Sequence, residues 1–314
     1  MSSELELITI GRVGVDLYPE QAGVPLAKVR TFAKFLGGSP TNVAVAAARL
    51  GHRSAVVTKV GTDGFGTYVR EALAEFGVDA RFVGTDPTLR TPVVFCELFP
   101  PDNFPLLFYR EPKAPDLNIT REELDLEAIA RVPVLWTSGT ALSDEPSRTA
   151  TLAALAAARG RTIHDLDFRY HAWREPAEAR TTAAAALAHA RVAVGNLDEV
   201  EMATGTRDPD AAAERLLEMG PELAIVKQGP RGTLGRSRSE RVEVPPVAVA
   251  VVNGLGAGDA FGGALVHGLL RGWDLEHTLT FANAAGAIVA SRLACADAMP
   301  TEREVESLLR VVHV

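Results

Sequence analysis

Short apolar runs alternate with longer segments of helical periodicity along most of the chain. The runs are rich in β-branched residues, whereas the longer segments are rich in Ala, Leu, Glu and Arg. Six runs predict strands: LELITIG, SAVVTKVG, PVLWTSG, RTIHDLD, RVAVGN and LAIVKQG. Helical periodicity predicts helices at about 40–50, 66–76, 147–159, 176–190, 209–219, 259–271 and 276–291.

This alternation predicts an α/β fold in which helices cover both faces of a mostly parallel sheet. In open sheets of this kind, ligands bind beyond the carboxyl ends of the strands. The loops that follow the six apolar runs are therefore the first places to search for a site.

Two stretches, 11–36 and 91–113, break the alternation. They contain strand-like apolar and aromatic segments such as TPVVFCELF and FPLLFYR, joined by Pro-rich turns instead of helices. We expect them to pair into a small accessory sheet, with an inert edge hairpin as the alternative. Because the sequence has no internal repeat and no long linker, a second domain would be a discontinuous insertion in the first.

Composition and charge exclude several classes of protein. There are 32 basic and 40 acidic residues, a net charge of -8, and no Lys/Arg-rich run that would follow a nucleic acid. An anionic substrate must therefore be bound by a few local donors. The Ala-rich stretches are interrupted by Arg, His and Gly, which argues against a membrane span.

The cysteines and the N-terminus favour a cytoplasmic protein. Cys96 and Cys295 are far apart in sequence and lack the spacing of a structural metal site, so we expect reduced thiols. The segment MSSELELITIG carries two glutamates where a signal peptide has a basic region followed by an apolar one.

The strongest local signal is residues 253–264, NGLGAGDAFGGA, which follow an apolar run and open a predicted helix. Glycines before a helix let main-chain N–H groups converge on one point, where the helix dipole also favours an anion. Asp259 stands beside that point and is placed to accept a proton from an attacking hydroxyl. An ordinary glycine turn with Asp259 as a helix cap fits these residues equally well.

A second glycine cluster, GGSPTN at 37–42, precedes the apolar segment VAVAAARLG. Pro40 and Thr41 mark a helix start, so Asn42 is either a first-turn residue or an amide that faces a crevice. The turn GTDGFG at 61–66 follows a predicted strand, where such turns are more often structural than functional.

Taken together, GGSPTNVAVAAARLG, VGTDGFG and GLGAGDAFGG resemble, in this order, the motifs of the PfkB (ribokinase-like) family of carbohydrate kinases. Asp16, NLDE at 196–199, KQGPRG at 227–232 and the segment around Asn283 match further positions that the family uses. The resemblance implies one ribokinase-like kinase domain over 1–314 with a three-layer α/β/α fold. Its discontinuous β-sheet lid would be formed by about 11–36 and 91–113.

The resemblance also implies ATP-dependent phosphoryl transfer, with Asp259 as the base that deprotonates the acceptor hydroxyl. Main-chain N–H groups at 256–259 would stabilise charge on the moving phosphoryl group. Asn196 and Glu199 would place Mg²⁺ through water, although a helix cap and a surface acid fit both residues too. The catalytic and cofactor-binding residues implied are Gly256, Ala257, Gly258 and Asp259, and Asn196, Lys227, Gly229, Gly232, Gly256, Gly258 and Asn283.

On the acceptor side, the family binds sugar hydroxyls through residues that correspond here to Asp16, Gly37, Gly38 and Asn42. The lid would close over the sugar and exclude water. Because the lid pairs between subunits in many relatives, we expect a homodimer.

The segments GRVGVDLYPEQAGVPL and FPPDNFPLLFYREPKAPDL are most similar to the 5-dehydro-2-deoxygluconokinase branch of the family, which acts in myo-inositol breakdown. A sugar acid needs a cation for its carboxylate, and Arg110 and Arg169 are the candidates. Tyr109 is a further candidate substrate contact. A solvated surface position is the alternative for each arginine, and plain packing is the alternative for Tyr109.

Several alternatives stay open at this point. A 2-keto-3-deoxygluconate kinase is next, then a fructokinase, ribokinase or nucleoside kinase; a non-catalytic sugar or nucleotide sensor on the same fold is the alternative from another class. A dehydrogenase is disfavoured, because the first βαβ unit lacks GxGxxG. Family members often have Asp-Thr where this chain has Asn253 and Gly254, which leaves K⁺ dependence in question.

Overall fold

The computed structural model describes residues 4–312, and two β-sheets organise this part of the chain. The strands are β1 (Leu7–Ile10), β2 (Gly14–Pro19), β3 (Phe32–Gly37), β4 (Ser54–Gly61), β5 (Val83–Asp86), β6 (Val93–Cys96), β7 (Leu106–Tyr109), β8 (Val134–Ser138), β9 (Arg161–Asp165), β10 (Val192–Asn196), β11 (Leu223–Lys227), β12 (Thr233–Ser237) and β13 (Arg241–Val244). The α-helices are α1 (Ser39–Arg49), α2 (Gly64–Glu75), α3 (Leu126–Arg131), α4 (Ser147–Ala157), α5 (Pro176–Leu187), α6 (Leu197–Thr204), α7 (Pro209–Glu218), α8 (Ala257–Arg271), α9 (Leu275–Ala290) and α10 (Glu302–Val312).

The larger sheet has nine strands in the order β13-β12-β11-β10-β9-β8-β1-β4-β5. Strand β1 lies near the middle and pairs in parallel with both β4 and β8. The pairs of β11 with β12 and of β12 with β13 are antiparallel. The mostly parallel sheet expected from the sequence is therefore confirmed, with an antiparallel pair of strands added at one edge.

Alternation along the strands divides the core into two layers. Leu7 packs with Trp136 in the cluster that contains the buried faces of α1, α2, α8 and α9. The next residue, Ile8, joins the cluster beneath α3 and α4 on the opposite face, and a third cluster holds α5, α6 and α7 against β10 and β11. Because successive side chains of a strand point to opposite faces, one buried strand serves both layers. The result is the three-layer α/β/α arrangement.

The smaller sheet has the strand order β3-β2-β6-β7. Its strands lie in the two stretches that break the sequence pattern, except that β3 extends to Gly37. Tyr18, Val94 and Cys96 are buried on one side of it, whereas Leu107 and Tyr109 are 46% and 61% exposed. A separate small sheet is thus confirmed, with one well-packed face and one face open to solvent.

The helices agree with the seven predicted from periodicity to within a few residues at each end. The helices α3 and α6 and the strands β5, β12 and β13 were not predicted, because each is short. The C-terminal helix α10 was not predicted either. Within residues 4–312, no helix combines the length and the apolarity that a bilayer crossing requires.

Two helix N-termini point at the carboxyl edge of the larger sheet. Helix α1 follows Gly38, whose φ is +104°, and α8 follows Gly256, whose φ is +82°. These left-handed conformations suit glycine because it has no Cβ. The two helices also pack closely: a Cβ on Gly263 would lie 2.3 Å from the Cβ of Ala46. Their first turns are thereby held next to each other.

Candidate active site

A cavity of about 270 Å³ opens at the carboxyl edge of the larger sheet. The loop after β1, the ends of β9, β10 and β11, the first turns of α1 and α8, and the inner face of the small sheet contribute to its wall. The sequence-predicted residues that line it are Asp16, Gly38, Asn42, Arg110, Arg169, Asn196, Glu199, Lys227, Gly256, Gly258 and Asp259.

Asp259 lies in the first turn of α8, and both of its carboxylate oxygens accept hydrogen bonds from α1. The hydroxyl of Ser39 donates to Oδ1 over 2.7 Å, and the amide of Asn42 donates to Oδ2 over 2.8 Å. These donors fix the carboxylate between the two helix starts. A carboxylate has about four lone-pair positions, so it can still accept a further proton donor from the cavity.

The electrostatic setting of Asp259 suits a base. Burial raises its pKa to about 6, against the hydrogen bonds from Asn42 and Ser39, which lower it. The nearby carboxylates of Asp167 and Asp165 add to the rise. A group with this pKa is ionised at neutral pH and is a stronger base than an exposed aspartate.

Main-chain N–H groups at the start of α8 lie beside Asp259. The N–H groups of Asp259 and Ala260 already donate to the carbonyl of Gly256, over 3.1 and 2.9 Å. Those of Ala257 and Gly258 have no acceptor among the described residues, and Gly258 lines the cavity. Since the first N–H groups of a helix attract anions, this turn can bind a phosphoryl group. The sequence predicted four N–H donors at 256–259, but the N–H of Asp259 is used within the helix and is not available to a ligand.

Gly256 sits against Cys295, which also lines the cavity. A Cβ on Gly256 would approach the Cys295 sulfur to 2.9 Å. The same thiol is 3.0 Å from the hydroxyl of Tyr18 on β2. Burial raises the pKa of Cys295 far above its ordinary value, so the thiol is protonated. The first turn of α8 and the small sheet are thus linked through one buried thiol.

A cluster of buried charges lies where β9, β10 and β11 end. Asp165 ends β9 and Asp167 lies two residues beyond it, Glu199 lies in the first turn of α6 after β10, and Lys227 ends β11. Burial raises the pKa of Asp165, and it raises that of Glu199 to about 7. Burial disfavours the charged form of Lys227, but Asp165 and Glu199 outweigh it and raise the ammonium pKa.

Arg169 closes this cluster with two ion pairs. Its guanidinium lies 2.9 Å from an oxygen of Asp167 and 3.4 Å from one of Glu199. Burial opposes ionisation of Asp167, yet Arg169 and Arg12 outweigh it and lower the pKa of that carboxyl. Arg169 is therefore bound to protein carboxylates and lies between the strand ends.

The opposite end of the cavity holds Asp16 and the free side of Asn42. A Cβ on Gly37 would lie 2.2 Å from an oxygen of Asp16, so Gly37 leaves the room that this carboxylate occupies. Burial raises the pKa of Asp16 to about 7. The side-chain oxygen of Asn42 is buried and has no hydrogen-bond partner among the described residues. Both groups can accept hydrogen bonds from a polyhydroxyl ligand.

Comparison with known proteins agrees with this geometry. The family model for pfkB family carbohydrate kinases matches residues 4–302. The chain belongs to this family.

Similar proteins include curated kinases and solved structures. A 5-dehydro-2-deoxygluconokinase of Photobacterium profundum is 37% identical over 95% of this chain and 92% of its own length. One of Shouchella clausii is 32% identical over 99% of this chain and 97% of its own length. A Vibrio cholerae fructokinase structure with fructose, ADP and calcium bound has a TM-score of 0.85 at 27% identity, covering 97% of this chain and 99% of that one. The chain is accordingly an ATP-dependent sugar kinase.

Three predicted nucleotide-side residues of this pfkB kinase lie outside the cavity wall. Gly229 and Gly232 form the turn after β11 with positive φ angles, and a Cβ on Gly232 would lie 2.0 Å from the carbonyl of Val244. Asn283 accepts a hydrogen bond from Thr233 over 2.7 Å and donates to the carbonyl of Pro245 over 2.9 Å. These residues shape the edge of the sheet next to Lys227.

The predicted metal residues form a helix cap. Asn196 accepts from the N–H groups of Asp198 and Glu199, and Glu199 accepts from the N–H of Asn196 over 2.7 Å. Within residues 4–312, no group of three or more His, Cys, Asp or Glu side chains is arranged to hold a metal directly. Both side chains still line the cavity, which fits a Mg²⁺ ion that keeps its water shell.

The two lid-strand residues predicted to bind substrate are placed differently. Tyr109 is 61% exposed, does not line the cavity and packs edge-on against Phe95 at 5.4 Å. Arg110 lines the cavity and forms a short ion pair with the buried Asp116. Ala257 is not among the residues that line the cavity, although its N–H has no acceptor among the described residues.

Sequence reasoning missed Ser39, Arg12, Asp165, Asp167 and Cys295, all of which line the cavity. Asp165 and Asp167 had a signal, since they stand at the carboxyl end of a predicted strand. Ser39 lies inside the quoted GGSPTN motif. Cys295 is distant from the motifs in sequence, so only the fold could bring it to Gly256.

Proposed function

We propose that this kinase phosphorylates the primary hydroxyl of 5-dehydro-2-deoxy-D-gluconate in myo-inositol catabolism. The observation that supports a kinase reaction most directly is Asp259, fixed by Ser39 and Asn42 beside the open N–H groups of α8. The acceptor assignment rests on relatives that bear the name 5-dehydro-2-deoxygluconokinase and on the arginines that line the cavity.

In the proposed reaction, Asp259 accepts the proton of the acceptor hydroxyl as its oxygen attacks the γ-phosphorus of ATP. The new O–P bond forms as the bond between that phosphorus and the β–γ bridging oxygen breaks, and ADP leaves. The N–H groups of Ala257 and Gly258 stabilise the charge on the transferred group, and Lys227 lies next to them: a Cβ on Gly258 would be 3.4 Å from its ammonium nitrogen.

We assign ATP to the side of the cavity at which β10 and β11 end, with the turn containing Gly229 and Gly232 and the nearby Asn283 around the nucleoside. Asn196 and Glu199 would hold Mg²⁺ through water, and this ion would neutralise phosphate charge. We do not assign K⁺, because Asn253 donates its amide to the carbonyl of Leu293 over 2.6 Å, a bond that a carboxylate could not donate.

On the acceptor side, Asp16 and the free oxygen of Asn42 bind sugar hydroxyls; Gly37 leaves room for the Asp16 carboxylate, and Gly38 lines the cavity. We propose that residues 1–314 form one kinase domain and that the stretches 11–36 and 91–113 act as its lid. Residues 1–3 and 313–314 lie outside the described part of the chain. The lid would close over the sugar and exclude water.

We also propose a homodimer through the lid. The outward face of the small sheet presents Leu107 and Tyr109, which are 46% and 61% exposed. Exposed apolar side chains on neighbouring strand positions suit burial against a second copy of the same sheet. Because the reaction consumes ATP, we expect the enzyme in the cytoplasm.

A 2-keto-3-deoxygluconate kinase is the second candidate. The cationic side chains of Arg12, Arg110 and Arg169 line the cavity, and they suit the carboxylate of either sugar acid. Fructose, ribose and nucleosides have no carboxylate that could pair with any of them.

The test is ADP release by the purified enzyme with Mg²⁺-ATP and a panel of acceptors. The panel contains 5-dehydro-2-deoxygluconate, 2-keto-3-deoxygluconate, fructose, ribose and adenosine. We expect the highest kcat/KM for the first compound, at least about tenfold above the neutral acceptors, because a charge-assisted hydrogen bond contributes about 1.5–3 kcal/mol. A preference for a neutral acceptor would overturn the substrate assignment.

A further inference from the structure

Four cationic side chains line the cavity, and they differ in how far protein carboxylates already satisfy them. They are Arg12, Arg110, Arg169 and Lys227. A cation that binds a substrate carboxylate must have donors left for it, because a bidentate pair uses two N–H groups of the guanidinium. The partners of each cation therefore show which one is available.

Three of the four cations already interact with protein carboxylates. Arg169 pairs with Asp167 at 2.9 Å and with Glu199 at 3.4 Å. Arg110 makes its short ion pair with Asp116, which is buried. Lys227 interacts electrostatically with Asp165 and Glu199. It also lies next to the first turn of α8, at the end of the cavity proposed for the phosphoryl group.

Arg12 is the exception. Its nearest carboxylate oxygen belongs to Asp167 and is 3.9 Å away, beyond hydrogen-bond distance. The oxygens of Asp167 already accept the Thr140 hydroxyl over 2.7 Å and Arg169. The Nε of Arg12 is buried and has no partner within residues 4–312, and the side chain as a whole is only 14% exposed. A buried guanidinium with unsatisfied donors is costly unless a ligand completes it.

The main chain around Arg12 is fixed even though the side chain lacks partners. Its carbonyl accepts the Thr41 hydroxyl over 3.0 Å, and a Cβ on Gly38 would lie 2.4 Å from that carbonyl. The N–H of the next residue, Val13, donates to Asp116, the same carboxylate that holds Arg110. Asp116 thus ties both arginines to one framework at the acceptor end.

We propose that Arg12 binds the carboxylate of the acceptor and is the residue that selects sugar acids over neutral sugars. This rests on the proposed function and changes one part of it: Arg169, a candidate from the sequence, instead positions Asp167 and Glu199. Arg110, next to Arg12, adds positive charge to the subsite.

The charge balance around Arg12 supports an anionic ligand. Burial lowers the pKa of Arg12, and repulsion from Arg169 and Arg110 acts in the same direction, against the attraction of Asp167. A ligand carboxylate between Arg12 and Arg110 would relieve both the desolvation and the repulsion. The guanidinium also lies 5.8 Å from the ring centre of Phe108 on the small sheet, so closure of that sheet would shield the pair from water.

The experiment compares two acceptors that differ only in charge: 5-dehydro-2-deoxygluconate and its neutral carboxamide. For each enzyme variant, kcat/KM is measured for both, and the acid-to-amide ratio is calculated. We expect Arg12→Gln to lower this ratio about 10- to 100-fold, because the charged hydrogen bonds are made only with the acid. Arg12→Lys should recover part of it, since the charge stays but the planar fork is lost.

Two control variants show whether a change in the acid-to-amide ratio is specific to Arg12. Arg169→Gln should lower kcat/KM for both acceptors by similar factors, so the ratio stays within about threefold of the wild-type ratio. Arg131→Gln removes an arginine whose side chain is 69% exposed, outside the cavity lining, and should leave both constants unchanged.

Different results would overturn the role of Arg12 and the proposed function. If folded Arg12→Gln keeps the wild-type ratio, or if Arg169→Gln lowers it as expected for Arg12, the Arg12 proposal is wrong while the proposed function stands. If the wild-type enzyme phosphorylates no sugar acid, the proposed function itself is wrong. Should Arg12→Gln not fold, Arg12→Lys decides: an unchanged ratio in that variant also overturns the proposal.

Discussion

The first and second turns of α8 both contain glycine, and glycine has a different role in each. In and before the first turn, Gly256 and Gly258 line the cavity. In the second turn, Gly262 and Gly263 are buried against other elements: added Cβ atoms would lie 2.7 Å from Trp136 and 2.3 Å from Ala46. One helix therefore uses glycine first to expose main chain to a ligand and then to let α1 approach.

The difference shows why a glycine-rich motif is ambiguous. The string GLGAGDAFGG gives no sign of which glycines face ligand and which face protein, because both uses require only the absence of a side chain. In the fold the two uses cooperate: close packing at Gly263 sets the distance between α1 and α8, which in turn lets Ser39 and Asn42 reach Asp259. The following variants separate the two roles.

The largest effect is expected for Asp259→Asn, between the two turns. This change removes the proton acceptor, so kcat should fall about 100- to 10,000-fold. The N–H groups of Ala257 and Gly258 are unchanged, and ATP affinity measured by calorimetry should stay within about threefold. Retention of more than a tenth of wild-type kcat would show that Asp259 is not the base.

Gly258→Ala tests the ligand-facing turn. The new methyl group would make only an ordinary contact, 3.4 Å from the Lys227 nitrogen, so folding should be unaffected or slightly stabilised. It would, however, intrude on the position proposed for the phosphoryl group. We expect kcat/KM for ATP to fall at least about tenfold, because small displacements of reacting groups are costly. Steady-state kinetics alongside a thermal melt distinguish this result from a loss of stability.

Gly263→Ala is the matched change in the packing turn, and its effect should be the reverse. A Cβ at 2.3 Å from Ala46 forces α1 and α8 apart, which should lower the free energy of unfolding by about 1–3 kcal/mol. Because the same spacing lets Ser39 and Asn42 reach Asp259, kcat of the folded enzyme should fall as well, but by a smaller factor than kcat/KM for ATP falls in Gly258→Ala. Urea titration measures the first quantity. If Gly263→Ala lost activity without losing stability, the proposed division between the turns would be wrong.

The smallest effect concerns the bond from α1 to Asp259. Burial raises the pKa of Asp259 to about 6, and the Ser39 hydroxyl lowers it by favouring the charged form. Activity should therefore fall as pH drops through about 6, where the base becomes protonated. Ser39→Ala should move this limb of the kcat/KM profile to higher pH by about 0.5–1 unit. Ser307→Ala, at an exposed serine of α10, is the control that should not move it.

Much of the fold was predictable because it depends on local pattern. Apolar runs located six strands of the larger sheet, and the Pro-rich interruptions at 11–36 and 91–113 located the small one. The strands β12 and β13 escaped prediction because they are short and contain several polar residues, in TLGRS and RVEV, so their apolar pattern is weak.

Within the site, the contacts that sequence predicted most directly are those between residues of one motif. Asp259 and the N–H groups of Ala257 and Gly258 belong to one turn, and sequence placed them together. Arg12 did not stand out, since its importance depends on what its neighbours Asp167 and Asp116 already bind. Which carboxylates are already occupied depends on distances in the folded structure. A pattern in a single sequence does not give these distances.

The hydrogen-bonded pair of Tyr18 and Cys295 gives the enzyme a built-in reporter. The thiol is buried and protonated, and it lies between the small sheet and the turn at Gly256. Cys295 is only 3% exposed, so an alkylating reagent should reach this sulfur faster when Tyr18 moves away with its strand. The rate of maleimide labelling at Cys295, with and without sugar and nucleotide, would therefore measure how often the cavity opens.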